Sequence, residues 1–239
     1  MIVLLLLYIR QRGCAVTQQT NDNTRERLLD QAERLFAMKG FEAVSVREIT
    51  GAAGSNLAAV NYHFGNKMNL YMQVFRERWV HRTRRIRQSF ARRLSGRSAP
   101  SLQEVVHAMA RAFLDGPLTD EERRHHVMLM QRELSQPTEA LKMVVEEVMR
   151  PHQQDLIELI RPRLPAGVDE ERLRLCVLSI LGVTIYFTFA RPTVSMIIKR
   201  DYDEGFKNML IEHIASFALN GINSLTESRP ANESDGGAL

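Results

Sequence analysis

Apolar positions recur at intervals of three and four along almost the whole chain, and no convincing run of alternating polar and apolar residues interrupts them. That period belongs to helices with one buried face. A first helix is predicted from about Thr24 to Lys39: Leu28, Ala32, Leu35 and Phe36 share one face, Arg25, Glu26, Glu33 and Arg34 the other, and Gly40 ends it. Ser45 stands three before Glu48, a capping box that opens a short helix with Val46 and Ile49 inward, closed by Gly54. Asn56 can cap a third helix, Leu57 to His63, which Phe64-Gly65 ends. Two short helices joined at the turn Ala53-Gly54-Ser55, behind a longer one, describe a helix-turn-helix, with Ile49, Ala53, Val60 and Phe64 expected in a small shared core.

Asn66 caps a long fourth helix on which Leu70, Val74, Trp79, Ile86 and Phe90 fall at roughly helical intervals. Between Arg76 and Arg97 lie nine arginines against the single acid Glu77; they are expected to face solvent largely and to add long-range attraction for nucleic acid, with residues 92–99 as a loop. Ser101 with Glu104 and Thr119 with Glu122 are further capping boxes, separated by the stop Gly116-Pro117. Pro137 suits the first turn of another helix, Pro151 predicts a kink or break within it, and Pro162 and Pro165-Ala166-Gly167 end its continuation. Asp169 opens a helix apolar on nearly every side, whose 16 residues from Leu175 to Ala190 fall short of the roughly 20 a membrane span needs. A last helix, about Asp203 to Gly221, carries Phe206, Met209, Leu210, Ile214 and Phe217 on one stripe.

The composition, 44% hydrophobic and 25% charged over 239 residues, suits soluble helical units and leaves room for two of them. Two cysteines, Cys14 and Cys176, exclude a zinc ribbon or a disulfide framework and fit a reducing cytosol. The net charge of +4 matters only where it is concentrated. Ile2 to Ile9 is an apolar run followed by Arg10 and Arg12, too short to span and reversed in order from a signal peptide; it reads as an upstream extension, with a membrane anchor as the other reading. Residues 226–239 hold almost nothing to bury and are expected to be disordered. There is no H-E-x-x-H, P-loop or G-x-S-x-G, so no enzyme class, metal or cofactor is indicated. His125-His126 beside Arg123-Arg124 reads as a wet surface patch, since adjacent residues on a helix point about 100° apart. A membrane-associated helical adaptor stands as the alternative class.

Residues Thr24 to Leu70, with Ala32, Leu35-Phe36, Gly40-Phe41, Ser45-Val46, Ile49, Ala53-Gly54, His63-Phe64, Lys67 and Leu70 in register, resemble the DNA-binding domain of TetR-family transcriptional regulators. The resemblance implies an all-α fold: an N-terminal three-helix helix-turn-helix domain (residues 22–82, motif 45–64) and a C-terminal helical ligand-binding and dimerisation domain (83–225), between an extension (1–21) and a tail (226–239). It places the recognition helix at Leu57 to His63, capped by Asn56 where the family usually has Ser or Thr. Base-edge contacts would come from Leu57, Ala58, Ala59, Asn61 and His63, with Asn61 able to bind adenine in a bidentate manner. Thr24, Ser45, Arg47 and Lys67 would contact phosphate, and Tyr62 either joins them or packs in the core. By the same analogy Met109, Phe113, Met128, Met143, Val144, Met149 and Phe187 are candidate lining of an effector pocket. Leu173, Val177, Ile180, Phe206, Leu210, Ile214 and Phe217, on the last two long helices, would form a dimer interface. Gln131 to Pro137 resembles a segment of the CecR-like subgroup, where Arg132 and Glu133 could form a pocket ion pair or a surface one. The implied function is a cytoplasmic, homodimeric repressor that binds a palindromic double-stranded DNA operator and responds to a small molecule, with no cofactor and no stable membrane association.

Overall fold

A computed structural model describes residues 22–164, 166–223 and 225; the readings made on residues 2–9, Cys14 and 226–239 lie outside them. All regular structure among the described residues is helical. Helix α1 covers residues 22–39, followed by α2 (Val46–Ala52), α3 (Leu57–Phe64) and α4 (Lys67–Val74). A π-helical turn, Phe75–Val80, joins α4 to α5 (His81–Leu94). Then come α6 (Leu102–Leu114), α7 (Asp120–Ser135), α8 (Glu139–Val144), a second π turn (Val145–Met149) and α9 (Arg150–Ile160). The chain ends in α10 (Glu170–Phe189), α11 (Arg191–Ile198) and α12 (Glu204–Asn223).

The capping logic holds in detail. Asn56, Asn66 and Asp169 each accept from a backbone N–H three residues on, and Ser101 and Thr119 form reciprocal capping boxes with Glu104 and Glu122. Ser45 forms only half of its box, because the Glu48 carboxylate turns to Lys39 at 2.6 Å instead. Gly54 and Gly65 take φ of 59° and 79°, the left-handed backbone that lets two helix ends turn sharply. Pro151 does not break its helix: the backbone stays helical from 139 to 160, and the π turn just before the proline opens the ladder where the ring would crowd a carbonyl. The helix around Pro137 starts later than expected, with Thr138 as its cap, and α5 runs to Leu94, into the stretch expected to be a loop.

The chain forms two compact units, and they interleave in sequence. The first joins residues 22–85 to 118–148, rather than stopping near residue 82. Its core holds Leu28, Phe36, Ile49, Val60, Phe64, Leu70 and Val74 together with Leu129, Met130, Met143 and Val144 from α7 and α8. A file of rings runs through it: Phe36 on Tyr71 edge-on at 4.9 Å, Tyr71 on Phe75 at 5.1 Å, and Trp79 stacked on His126 at 4.6 Å. Polar groups are met inside. Glu133, fully buried, accepts from the Tyr71 hydroxyl at 2.6 Å, the Thr138 hydroxyl at 2.9 Å and the backbone N–H groups of Thr138 and Leu141, both at 3.0 Å. It is neither a pocket nor a surface ion pair with Arg132, whose guanidinium instead donates to the Met38 carbonyl at 2.6 Å. Burial, and then the Glu133 carboxyl, drive the Tyr71 phenol to far higher pKa than usual.

Arg76, Arg84, Arg92, Arg93 and Arg97 of the arginine run are exposed, as expected, but three others are tied down. Arg82 is buried and doubly bonded to Glu33, Arg78 reaches Glu26 at 2.7 Å and Asp30 at 2.9 Å, and Arg85 pairs with Glu122. The acids that answer these three lie on α1 and α7, far away in sequence, which is why local charge counting does not find the pairs.

The second unit joins residues 86–117 to 149 onward. α12 lies along α6, and Val105, Val106 and Met109 meet Leu156, Ile157, Ile160, Leu210, Ile211 and Ile214 in its core. Here the expected dimer stripe is corrected. Leu173, Val177, Ile180, Phe206, Leu210 and Ile214 are all buried within this single chain, and of the set only Phe217, at 56%, is exposed. Regular spacing marked the face turned to the chain's own core. α10 is also longer than its apolar stretch suggested, and its 20 residues are long and apolar enough by length and composition alone to cross a membrane. Its inward stripe packs in this core, and Thr184 and Thr188 turn their hydroxyls back to the carbonyls of Ile180 and Thr184. α11 has no counterpart in the sequence reading; Pro192 sits in its first turn and Lys199, in left-handed backbone, ends it.

Candidate nucleic-acid interface

The third helix is presented by its neighbours. Val60 and Phe64 point into the core, and Asn56 accepts the Ala59 N–H at 3.0 Å to fix the helix start. What remains outward is Leu57, Ala58, Asn61 and Tyr62, the last 74% exposed, so the reading of Tyr62 as a core residue does not hold. Ala59 is corrected as well: it is partly buried against the core, on the helix's inner shoulder. His63 is half-buried, edge-on to Tyr62 at 5.0 Å. Burial first, and then the Arg25 guanidinium, lower its proton affinity, so it meets a neighbour as a neutral imidazole at neutral pH.

The flanking groups stand as follows. Ser45 and Arg47 are exposed at the start of α2, and Ser45 caps that helix. Lys67, in the first turn of α4, lies over the Phe41 ring at 4.3 Å and is 3.4 Å from the Glu42 carbonyl, so the ring holds its charge in place. The Thr24 hydroxyl accepts from Arg27 at 3.4 Å in the first turn of α1. Arg25 was missed by sequence reasoning: it clasps Glu77 through both guanidinium nitrogens, one at 2.9 Å, and lies 5.4 Å over the Phe64 ring, tying α1 to the end of the recognition helix. Its arginine–carboxylate bond, then the attraction of its charge, hold Glu77 below the usual carboxylate range. The only local signal for it was an acid standing alone in the arginine run.

Residues 22–74 carry six basic and six acidic side chains. Glu26, Asp30 and Glu33 turn to Arg78 and Arg82, and Glu48 turns to Lys39, so the head's acids are largely occupied away from α3. A neutral segment can in this way present a small, uncharged helix face between cationic and hydroxyl-bearing flanks. A face of that build fits a major groove about 12 Å wide, where an exposed amide can read base edges.

The expected effector residues fall in both units. Met128 and Met143 belong to the first unit's core, Met109, Phe113 and Phe187 to the second's, and Met149 is 38% exposed. Among the described residues no group of three or more His, Cys, Asp and Glu side chains is placed to hold a metal ion.

Residues 28–74 match the family described as bacterial regulatory proteins of the tetR type, and residues 101–222 match the C-terminal domain of the HTH-type transcriptional dual regulator CecR. The chain belongs to the TetR family. Within it, the second match places the chain in the CecR-like subgroup. It is 29% identical over 182 residues to the HTH-type transcriptional repressor AcnR of Corynebacterium glutamicum, covering 74% of this chain and 81% of that protein. It is 25% identical over 180 residues to CecR of Shigella flexneri, covering 72% and 79%. Among solved structures, NalD, the secondary repressor of the MexAB-OprM multidrug efflux pump in Pseudomonas aeruginosa, superposes with a TM-score of 0.57 at 25% identity, covering 84% of this chain and 98% of that one. The fatty acid degradation regulator FadR of Bacillus halodurans superposes with a TM-score of 0.58 at 20% identity over 83% and 96%, a likeness of fold. As a TetR-family regulator this protein binds DNA, and its relatives are named as transcriptional regulators, not enzymes.

Proposed function

We propose that this TetR-family protein is a ligand-responsive, homodimeric repressor that reads a palindromic operator through α3. The observation that carries the reading is the outward face Leu57, Ala58, Asn61 and Tyr62, set by the Asn56 cap and flanked by Ser45, Arg47 and Lys67. Asn61 reads one base, Ala58 and Leu57 meet thymine methyls, and Tyr62, Thr24, Ser45, Arg47 and Lys67 fix register on the phosphates. Repression is the role named for AcnR and NalD, while CecR is named a dual regulator.

The second unit supports the homodimer. Leu175, Leu178 and Tyr186 on α10 and Met209 and Phe217 on α12 are each about half exposed, on the two long helices of the unit. Left in water, each forgoes about half of the roughly 1.5–3 kcal/mol that full burial is worth, and a second copy covers them with the same surface. Two heads so joined meet half-sites one DNA turn, or a multiple of it, apart.

Sequencing of duplexes selected by the purified protein should return an inverted repeat. On that repeat Asn61→Ala should relax preference at one position per half-site, with a loss of about 1–3 kcal/mol on the preferred base. An equal loss on operator and random duplex removes Asn61 from the base-reading set. A selected site without two-fold symmetry, or a single-copy mass in sedimentation, overturns the dimer reading.

A further inference from the structure

One recess in the second unit has a chemistry the regulator reading does not absorb. Between the end of α5 and the first turns of α6 lies a cleft of about 510 Å³ lined by Arg93, Arg97, Gln103, His107 and Arg111, with Ser101, Glu104 and Ala108 completing the wall. Its volume is that of a small-molecule site, and three of its eight lining residues are arginines. The wall's single acid is already engaged: Glu104 accepts from the Ser101 N–H at 2.7 Å and the Ser101 hydroxyl at 3.0 Å, and it pairs with Arg97.

The cations are unequally engaged. Arg111 is pinned from behind by Asn208, 3.0 Å from one guanidinium nitrogen, and by Asp115 at 3.5 Å from the other. Arg93, in the last turn of α5, is exposed and carries no ion pair among the described residues. His107 Nε2 is buried without a hydrogen bond, 3.3 Å from the Glu212 carboxylate but not aligned with it. Among the described residues Arg97 and Arg111 each have an acid beside them and Arg93 has none, and each guanidinium holds planar N–H donors matched to oxyanions. Because Arg93 lies on α5, Arg97 beyond its end and Arg111 on α6, one small anion cannot meet them all; a molecule with separated oxyanions can.

We propose that the α5–α6 cleft binds a compact polyanion, a molecule bearing two or more carboxylate or phosphate groups, held by Arg93, Arg97 and Arg111. The cleft assignment rests on its own geometry. Its extension, that this polyanion is the effector, rests on the regulator reading above and replaces the apolar ligand that a methionine-lined pocket would have taken.

Titration calorimetry on the full-length protein, with citrate and pyrophosphate as probes and acetate as the single-charge control, tests the cleft without DNA. Saturable binding of citrate or pyrophosphate, but not acetate, is expected, and the stronger of the two identifies carboxylate or phosphate as the preferred group. Arg93→Glu should weaken it by about tenfold or more, the scale of one lost charge-assisted contact, and Arg93→Gln by less in the same direction. Arg92→Glu, the same charge change at the adjacent exposed position outside the cleft, should leave it unchanged. Absence of saturable binding at roughly millimolar probe overturns the proposal, as does an equal loss in the Arg92 variant. A weakening of duplex binding by Arg93→Glu with no probe present, as large as its effect on the probes, assigns the wall to DNA and also overturns it. A protein that selects its operator but ignores both probes removes the cleft alone, whereas one that binds a probe but no DNA removes the regulator reading alone.

Discussion

Between Arg76 and Arg97 lie nine arginines, eight on a single helical stretch and Arg97 just beyond it, and the two ends of the run put them to different uses. Near the start, Arg78, Arg82 and Arg85 reach acids on α1 and α7, beneath a core in which Trp79 is stacked on His126 and donates its indole N–H to the His126 carbonyl at 3.1 Å. Near the end, Arg93 and Arg97 border an open cleft with one acid between them. The residue type is the same. What differs is how firmly carboxylates from elsewhere in the chain hold them. Arg82 is buried on Glu33, Arg97 meets Glu104 at the surface and Arg93 meets none among the described residues, and that separates an arginine that is part of the structure from one available to a ligand.

The sharpest way to break this comparison is at its closed end. Arg82 and Glu33 are both buried, with side-chain exposures of 8% and 5%. Arg82→Met should cost about 3 kcal/mol in urea denaturation, because among the described residues it leaves the buried Glu33 carboxylate with only Arg78 and His125, each 3.9 Å away, and the double change Arg82→Met with Glu33→Leu should recover most of that loss. If Arg82→Met cost less than about 1 kcal/mol, the pair would be behaving as a surface bridge and the contrast between the two ends would collapse.

Little of that closed end could have been read from the sequence, and the reason is physical. Capping is local, so Asn56, Ser101, Thr119 and Asp169 could each be placed from the three residues that follow. Hydrophobic period is local too, and it delivered the helix-turn-helix core of Ile49, Ala53, Val60 and Phe64. Pairs such as Arg82–Glu33 and Tyr71–Glu133 close across about fifty or sixty residues and leave no local mark. The dimer stripe failed for another reason: burial against the chain's own core and burial against a second copy select the same residue types, so Leu173 and Leu178 look alike until packing separates them. The outward face of α3 was legible because it is defined by what its core does not use, although Ala59 shows the margin of a one-residue rotation.

The histidine at the closed end sharpens the comparison through pH. Burial, and then the Arg82 charge, push the His126 pKa down to about 3, and its Nδ1 has no hydrogen-bond partner. In the folded chain it stays neutral where the unfolded chain takes up a proton, so below the unfolded value near 6.5 the unfolded state binds more protons. Stability from this group is therefore complete above about pH 6.5 and falls by about 1.4 kcal/mol for each unit below it, until the folded value is reached. His126→Phe keeps a ring against Trp79 and removes the titration. Its stability should decline less steeply than that of the parent between pH 6.5 and 4, and parallel slopes would mean that His126 is protonated in the folded protein.

The smallest effect is expected midway along the run, where Arg87 pairs with Asp155 at the surface of the second unit, their side chains 38% and 50% exposed. Solvent screens such a pair and side-chain entropy opposes it, so Arg87→Ala should change stability by no more than about 1 kcal/mol, and less at high salt. The same change has a second, local readout. Burial, and then the nearby Arg87, lower the proton affinity of His152, while Asp155 raises it. Removing the arginine leaves the carboxylate unopposed, so the His152 ring signals in an NMR titration should move to higher pH while the denaturation midpoint barely shifts. A large stability loss with an unmoved His152 would mean that Arg87 acts through packing of its stem, as a buried member of the run, and would extend the closed end past the boundary at Arg85.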